Sequence, residues 1–149
     1  MRLSDASLPP AKLMLEITES AIMRDAAYGQ KILADLKRRG ICLAIDDFGT
    51  GYSSLAHLKR LPVDELKIDK SFVLNLTERA SDDLVIVRST IELGHNMGLV
   101  VIAEGVETAE SWAVLKHLGC DMAQGYYMSP PLPAREFTEW AGASRWGRG

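Results

Sequence analysis

Two cysteines in 149 residues are too few to staple a fold, and nothing in their spacing marks half of a metal site. Cys42 opens an apolar stretch and Cys120 closes a turn between a helix and a strand, so both are read as reduced thiols in the core. Long hydrophobic runs are missing too. No window reaches about 18 apolar residues, and the start lacks the charged-then-apolar pattern of an export signal, so a cytoplasmic location is expected. Basic charge is not in excess: 17 Lys and Arg stand against 20 Asp and Glu, a net charge of −3. That argues against a nucleic-acid backbone as partner, because such binding draws on clustered cations. Gly49-Thr50-Gly51 lacks the Gly-Lys-Ser/Thr ending of a phosphate loop. His57, His95 and His117 fall in helical stretches without ligand partners and are read as surface or packing residues.

The composition is that of an ordinary globular domain, with 47% hydrophobic and 25% charged residues in a length that suits one core. Residues 1–12 are polar with a Pro9-Pro10 pair and read as a leader. Strands are expected at 13–19, 41–47, 66–69, 99–103 and 121–126. Helices are expected at about 21–39, 52–60, 81–96, 108–118 and from Pro133 onward, with Ser81 and Thr108 as caps. From Ala143 the chain is polar and glycine-rich, and residues 142–149 are expected to be a flexible tail. Strict alternation over 13–141 makes five consecutive β-α units, an α/β fold with a parallel sheet and right-handed crossovers.

The side-chain period of two then sorts each strand into faces. Glu16 in the first strand, Asp46 in the second, and Lys67 and Asp69 in the third oppose the apolar face. The fourth strand ends on Glu104 and the fifth carries Gln124. Asp47 follows Asp46 directly, ahead of the turn at Gly49. A charge in an apolar strand is costly unless paired or metal-bound, and a polar residue near the C-terminal end of each of five strands, at matching heights, describes a site. Two readings stay open. One is a structural ion-pair network between Lys67 and the acids. The other is a metal centre: Glu16, Asp46, Asp47 and Glu104 are hard oxygen ligands suited to Mg²⁺ or Mn²⁺. Adjacent aspartates can flank two metals for phosphoryl displacement, with Lys67 holding a water or neutralising charge and Gln124 orienting a water or a base edge.

The successive stretches Leu15-Glu16-Ile17-Thr18-Glu19-Ser20, Asp46-Asp47-Phe48-Gly49-Thr50-Gly51, Lys67-Ile68-Asp69, Ala103-Glu104-Gly105-Val106-Glu107 and Gln124-Gly125-Tyr126 resemble the motifs of EAL domains, over about residues 8–141. These bacterial signalling phosphodiesterases hydrolyse the second messenger cyclic di-GMP to pGpG on a (β/α)₈ TIM-type barrel. The resemblance implies that Glu16 and Asp46 are metal ligands, with Asp46 shared by two ions and Asp47 and Glu104 on the second. It implies that Lys67 contacts the catalytic water and that Gln124 and Gly125 line the substrate site. Glu19 matches the acid that braces the loop containing Gly49, Thr50 and Gly51. Family members use that loop, with the helix running to Arg60, for dimer contacts.

Measured against such a barrel, which typically takes about 250 residues, the chain reads as a partial barrel truncated at its N-terminal side. The Glu-Ala-Leu strand and a later metal-binding Asn have no counterpart here, so two expected ligands are absent and catalysis by this stretch alone is expected to be impaired. The alternative is an inactive module that binds cyclic di-GMP or a protein. A homo-oligomer is expected through the Phe48–Arg60 loop and helix or through the open barrel edge. An unrelated receiver-type fold is disfavoured by motif order, because there the acid pair follows the first strand and the lysine the last.

Overall fold

The computed structural model describes residues 8–50, 55–77 and 82–146. Five strands form one parallel sheet: β1 (Met14–Thr18), β2 (Cys42–Phe48), β3 (Glu65–Ile68), β4 (Val100–Ala103) and β5 (Met122–Ala123). They lie in chain order, β1-β2-β3-β4-β5, so β1 and β5 are the edges. The helices between them are α1 (Glu19–Arg24), α2 (Ala26–Arg38), α3 (Leu55–Leu58), α4 (Lys70–Val73), α5 (Asp82–Asn96) and α6 (Ala109–His117), and α7 (Ala134–Ala143) follows β5. This is the alternating α/β architecture expected from the sequence, a partial (β/α) barrel.

The core lies between the helices and one face of the sheet. Leu43, Ile45, Leu66, Ile68, Val101 and Ala103 point into it and are essentially inaccessible, as are Val87 and Ile91 of α5 and Leu115 of α6. Burying a side chain of this size contributes roughly 1.5–3 kcal/mol. On β4 the alternation is clean: Val101 and Ala103 are buried, whereas Val100 and Ile102 on the opposite face are half-buried.

Several expectations need correction. The helix expected over 21–39 is two helices, because Asp25 leaves helical geometry (φ −150°, ψ 83°) and its carboxylate accepts the Tyr28 N–H at 3.0 Å. That is an N-cap in mid-segment: a short acceptor satisfies an orphan donor of the new helix start. Helix α4 was not expected, and Asp69 creates it by accepting the Ser71 N–H at 2.9 Å. The last strand covers two residues rather than the six of 121–126. The tail is not free at its start either, since Trp146 packs edge-on against Trp112 with ring centroids 5.2 Å apart. The start of the helix expected at Tyr52 and the Ser81 cap lie outside the described residues.

At the N-terminal end of the sheet one device occurs twice. Asp64, just before β3, accepts the Leu43 N–H at 2.8 Å and binds Lys37 of α2 at 2.6 Å. Asp121, just before β5, accepts the Val101 N–H at 2.8 Å and meets His95 of α5 at 2.9 Å. Each clasp ties a strand start to the neighbouring strand and to the helix that precedes that neighbour. Burial pushes the Asp121 carboxyl up, but the Val101 N–H and His95 outweigh it and hold the group below the usual carboxylate range. Both cysteines are free, and burial pushes the Cys120 thiol up to about 11, where it is unreactive at neutral pH.

Candidate functional site

The acids named from the sequence gather at the C-terminal end of the sheet, where barrel-type folds place their chemistry. Their centre is Lys67, whose side chain is 5% exposed. Its Nζ lies 2.7 Å from Glu16 Oε1 of β1, 3.4 Å from Asp46 Oδ1 of β2, and 2.6 Å from Glu104 Oε1 beyond β4. Four neighbouring strands thus contribute one charge each to a single point. Burial alone lowers an ammonium pKa; here hydrogen bonds to Glu104 and Glu16, with the charges of Glu104 and Asp46, raise it above the ordinary lysine range. Lys67 is a fixed cation at any physiological pH.

Two consecutive residues of a regular strand point to opposite faces, so Asp46 and Asp47 should not both address one site. The backbone resolves this. Pairing between β2 and β3 shifts register between Ile45 and Phe48, and Asp47 has φ 54°, the left-handed region that Asp tolerates better than most residues. The irregularity brings Asp47 within electrostatic reach of Asp46, Asp69 and Lys67. Burial, then the charges of Asp46 and Asp69, push its carboxyl above the usual range against the pull of Lys67.

Behind the acids, the turn is held from β1's side. Glu19, 4% exposed, accepts the Gly49 N–H at 3.2 Å, and Thr50 Oγ1 donates to the Asp47 carbonyl at 2.8 Å. Gly49 has φ 101°, and a Cβ there would stand 2.9 Å from the Phe72 ring, so no other residue fits without displacement. Gly51, with Tyr52, Ser53 and Ser54, lies outside the described residues.

Gln124 and Gly125 border an open depression with Lys70, Glu104, Gly105, Glu107 and Tyr126. Gly125 has a backbone role: a Cβ on it would fall 2.1 Å from the Val106 carbonyl oxygen. That contact seats the turn carrying Gln124 against the loop after Glu104. Asp69, one residue past β3, joins the site although its sequence position sets it apart from the candidate ligands. Hydrogen bonds from the Ser71 hydroxyl and N–H hold its carboxyl below the usual range although burial raises it, and it faces Asp47. Its place in Lys67-Ile68-Asp69, two residues from the lysine, was the available signal.

The donor set fits a hard divalent cation on two counts. Every candidate ligand is a carboxylate oxygen, and the buried Asp46 Oδ1, ion-paired to Lys67 at 3.4 Å, accepts no hydrogen bond. Among the described residues no three acidic, His or Cys groups already stand close enough to cage an ion, because they are arranged around the ammonium. The ion-pair network and the ligand set are therefore the same residues.

The EAL domain family model matches residues 1–131. The bifunctional diguanylate cyclase/cyclic di-GMP phosphodiesterase MucR of Pseudomonas aeruginosa is 48% identical over 130 residues, 87% of this chain and 19% of that protein. The solved PaMucR phosphodiesterase in complex with cyclic di-GMP superposes with a TM-score of 0.87 at 47% identity, covering 91% of this chain and 54% of that one. BlrP1 of Klebsiella pneumoniae, solved with manganese and cyclic di-GMP, gives 0.80 at 36% identity over 87% of this chain and 33% of that one. The chain thus spans about a fifth of the curated relative and about half of the solved phosphodiesterase.

Proposed function

This chain belongs to the EAL domain family, and from that premise we propose that it is the Lys67-centred part of a cyclic di-GMP phosphodiesterase site, acting with Mg²⁺ or Mn²⁺. The observation that carries the reading is the convergence on Lys67 Nζ of carboxylates from β1, β2 and the end of β4, within 3.4 Å; the most distant of them, the buried Asp46 Oδ1, is ion-paired there but accepts no hydrogen bond. Glu16, Asp46, Asp47 and Glu104 would hold the metal. Bound there, a hard divalent ion polarises a phosphoryl oxygen and makes a nearby water more acidic.

The chain's own residues do the rest. Lys67 keeps the acids pointed at one another and offers a permanent positive charge to a phosphodiester oxygen or a hydrogen bond to the attacking water. Asp69 crowds Asp47 and limits where its carboxylate can turn. Glu19 fixes the turn after Asp47 through Gly49. Gln124, which lines the same depression as Glu104, would hold a water or a base edge. Four ligands without a preformed cage support slow turnover by this stretch on its own: a reacting atom displaced by 1 Å costs about 10²-fold. The same absence of a cage favours a second reading, a module that binds cyclic di-GMP without cleaving it. The apolar exposure of Tyr28 and Ile32, which share a groove with Ile17 of β1, and of Met122 on β5 supports self-association through the sheet edges.

The test is chromatography of cyclic di-GMP incubated with the chain and Mn²⁺. Slow formation of pGpG that stops with chelator and in Asp46→Asn supports the phosphodiesterase reading. Binding without product supports the second. Neither binding nor product contradicts both. Light scattering at micromolar concentration decides association, and a stable monomer would overturn that part.

A further inference from the structure

The segment after α7 folds back onto the turn that carries Gln124. Trp146 packs edge-on against Trp112 of α6, at 5.2 Å and 83°, and against Tyr127, at 5.8 Å and 68°. The Arg145 guanidinium lies 4.4 Å from the centre of the Trp146 ring and 5.6 Å from that of Tyr127, and its Nη2 donates to the Tyr127 hydroxyl at 2.8 Å. A cation over a ring face adds to what the buried ring area contributes. The segment is itself tied down, with the Ser144 N–H on the Trp140 carbonyl and the Trp146 N–H on Ser144 Oγ.

From Tyr127 a short chain of backbone bonds leads to the site. The Tyr127 N–H donates to the Val106 carbonyl at 2.9 Å. The Val106 N–H donates to the Gln124 carbonyl at 3.1 Å, and the Gln124 N–H to the Ala103 carbonyl at 2.8 Å. Val106 is fully buried, and Gly125 presses on its backbone with no room for a Cβ. β5 has only two residues in its ladder, so it cannot fix the following turn alone.

We infer that Arg145 and Trp146 are positioning residues, a strap that clamps the Tyr127 ring and so holds the Gln124 turn against the loop after Glu104. The strap rests on the geometry alone; its consequence for ligand binding rests on the function proposed above. A partner or neighbouring domain that takes hold of the segment beyond Ala143 would release Tyr127 and loosen the wall of the depression that Gln124 forms. This makes the end of α7 a control point for the site.

Amide hydrogen exchange on the whole chain tests it. Trp146→Ala is expected to speed exchange at Val106, Gln124, Tyr127 and Met128 about tenfold or more, with Leu66, Ile68 and Val87 unchanged. The near-ultraviolet signal of the Trp112–Trp146 pair should vanish, and Trp146→Phe should restore most of the protection. Arg145→Lys keeps the charge but loses the guanidinium contact with the Trp146 ring and its bond to the Tyr127 hydroxyl, so it should give a smaller effect at the same amides, and it covers the case in which Trp146→Ala does not fold. Unchanged exchange at those amides, or a rise spread evenly over the chain, overturns the strap. Titration with cyclic di-GMP adds the second arm. Weaker binding in Trp146→Ala supports control of the site, and unaltered binding overturns it. If the wild type itself does not bind, the function proposed above has failed, and exchange alone still decides the strap.

Discussion

The two ends of the sheet use the same residue type for opposite purposes. At the N-terminal end, Asp64 holds a backbone N–H and the Lys37 ammonium, Asp121 holds a backbone N–H and the His95 ring, and each serves as a clasp. At the C-terminal end, Glu16, Asp46 and Glu104 share one ammonium, Asp46 Oδ1 accepts no hydrogen bond, and Asp47 sits at positive φ with its carboxyl pushed up by burial and like charge. A satisfied acid stabilises a fold. A crowded, partly unsatisfied one is held in place by the rest of the structure and gains when a cation or substrate arrives.

The comparison is sharpened first by Lys67→Met. Removing the shared cation leaves three carboxylates facing each other, and taking one partner from such a network costs about 3 kcal/mol. Denaturant unfolding should report that loss, with partial recovery in millimolar Mg²⁺ or Mn²⁺, since an ion can take over the role of the ammonium. No recovery would remove the link between the network and metal binding.

Next in size, Asp46→Asn should lower pGpG formation by at least about 10²-fold while changing unfolding free energy by less than about 1 kcal/mol. Asp64→Ala should do the reverse. It strips the Leu43 N–H and Lys37 of their acceptor, which costs about 2 kcal/mol of stability, and divalent cations should not restore it. If Asp64→Ala abolished turnover in folded protein, the division of labour between the two ends would be wrong.

The smallest effects concern pH and have opposite signs at the two ends. Asp121 has a depressed folded pKa, so its contribution is complete above the unfolded value of about 3.9 and is lost as pH falls through the folded value. Asp121→Asn should therefore destabilise at neutral pH, with the deficit closing below about pH 4. Asp47 has a raised folded pKa, so its charged form is a cost that appears as pH rises past the ordinary carboxylate value. Asp47→Asn should stabilise the metal-free chain at neutral pH, and the gain should fade below about pH 4. Asn also tolerates positive φ, so the backbone is not confounded. Equal signs in the two unfolding series would contradict the contrast.

What the sequence made legible was whatever is carried by local pattern. Apolar alternation located the strands. The inner-face charges of Glu16, Asp46, Lys67 and Glu104 came out together because strand order follows chain order, so equal heights in sequence became neighbours in space. The irregularity that lets Asp47 join Asp46 was not legible, since a register shift belongs to the β2–β3 pair and not to either strand. The break at Asp25 was hidden by a helical pattern that continues through it. β5 was overestimated because Gln124-Gly125-Tyr126 looks like strand but turns away where Gly125 meets the Val106 backbone. Trp146 was read as tail because its partners, Trp112 and Tyr127, are 34 and 19 residues distant in sequence.

The most direct test of the central claim is a calorimetric titration of cyclic di-GMP, in Mn²⁺, into wild type and into folded Asp46→Asn. The wild type is expected to bind saturably, with affinity at least about tenfold weaker in the variant. Equal affinity in the two, or no binding by the wild type, would contradict the claim that the C-terminal end of this sheet is built for a ligand.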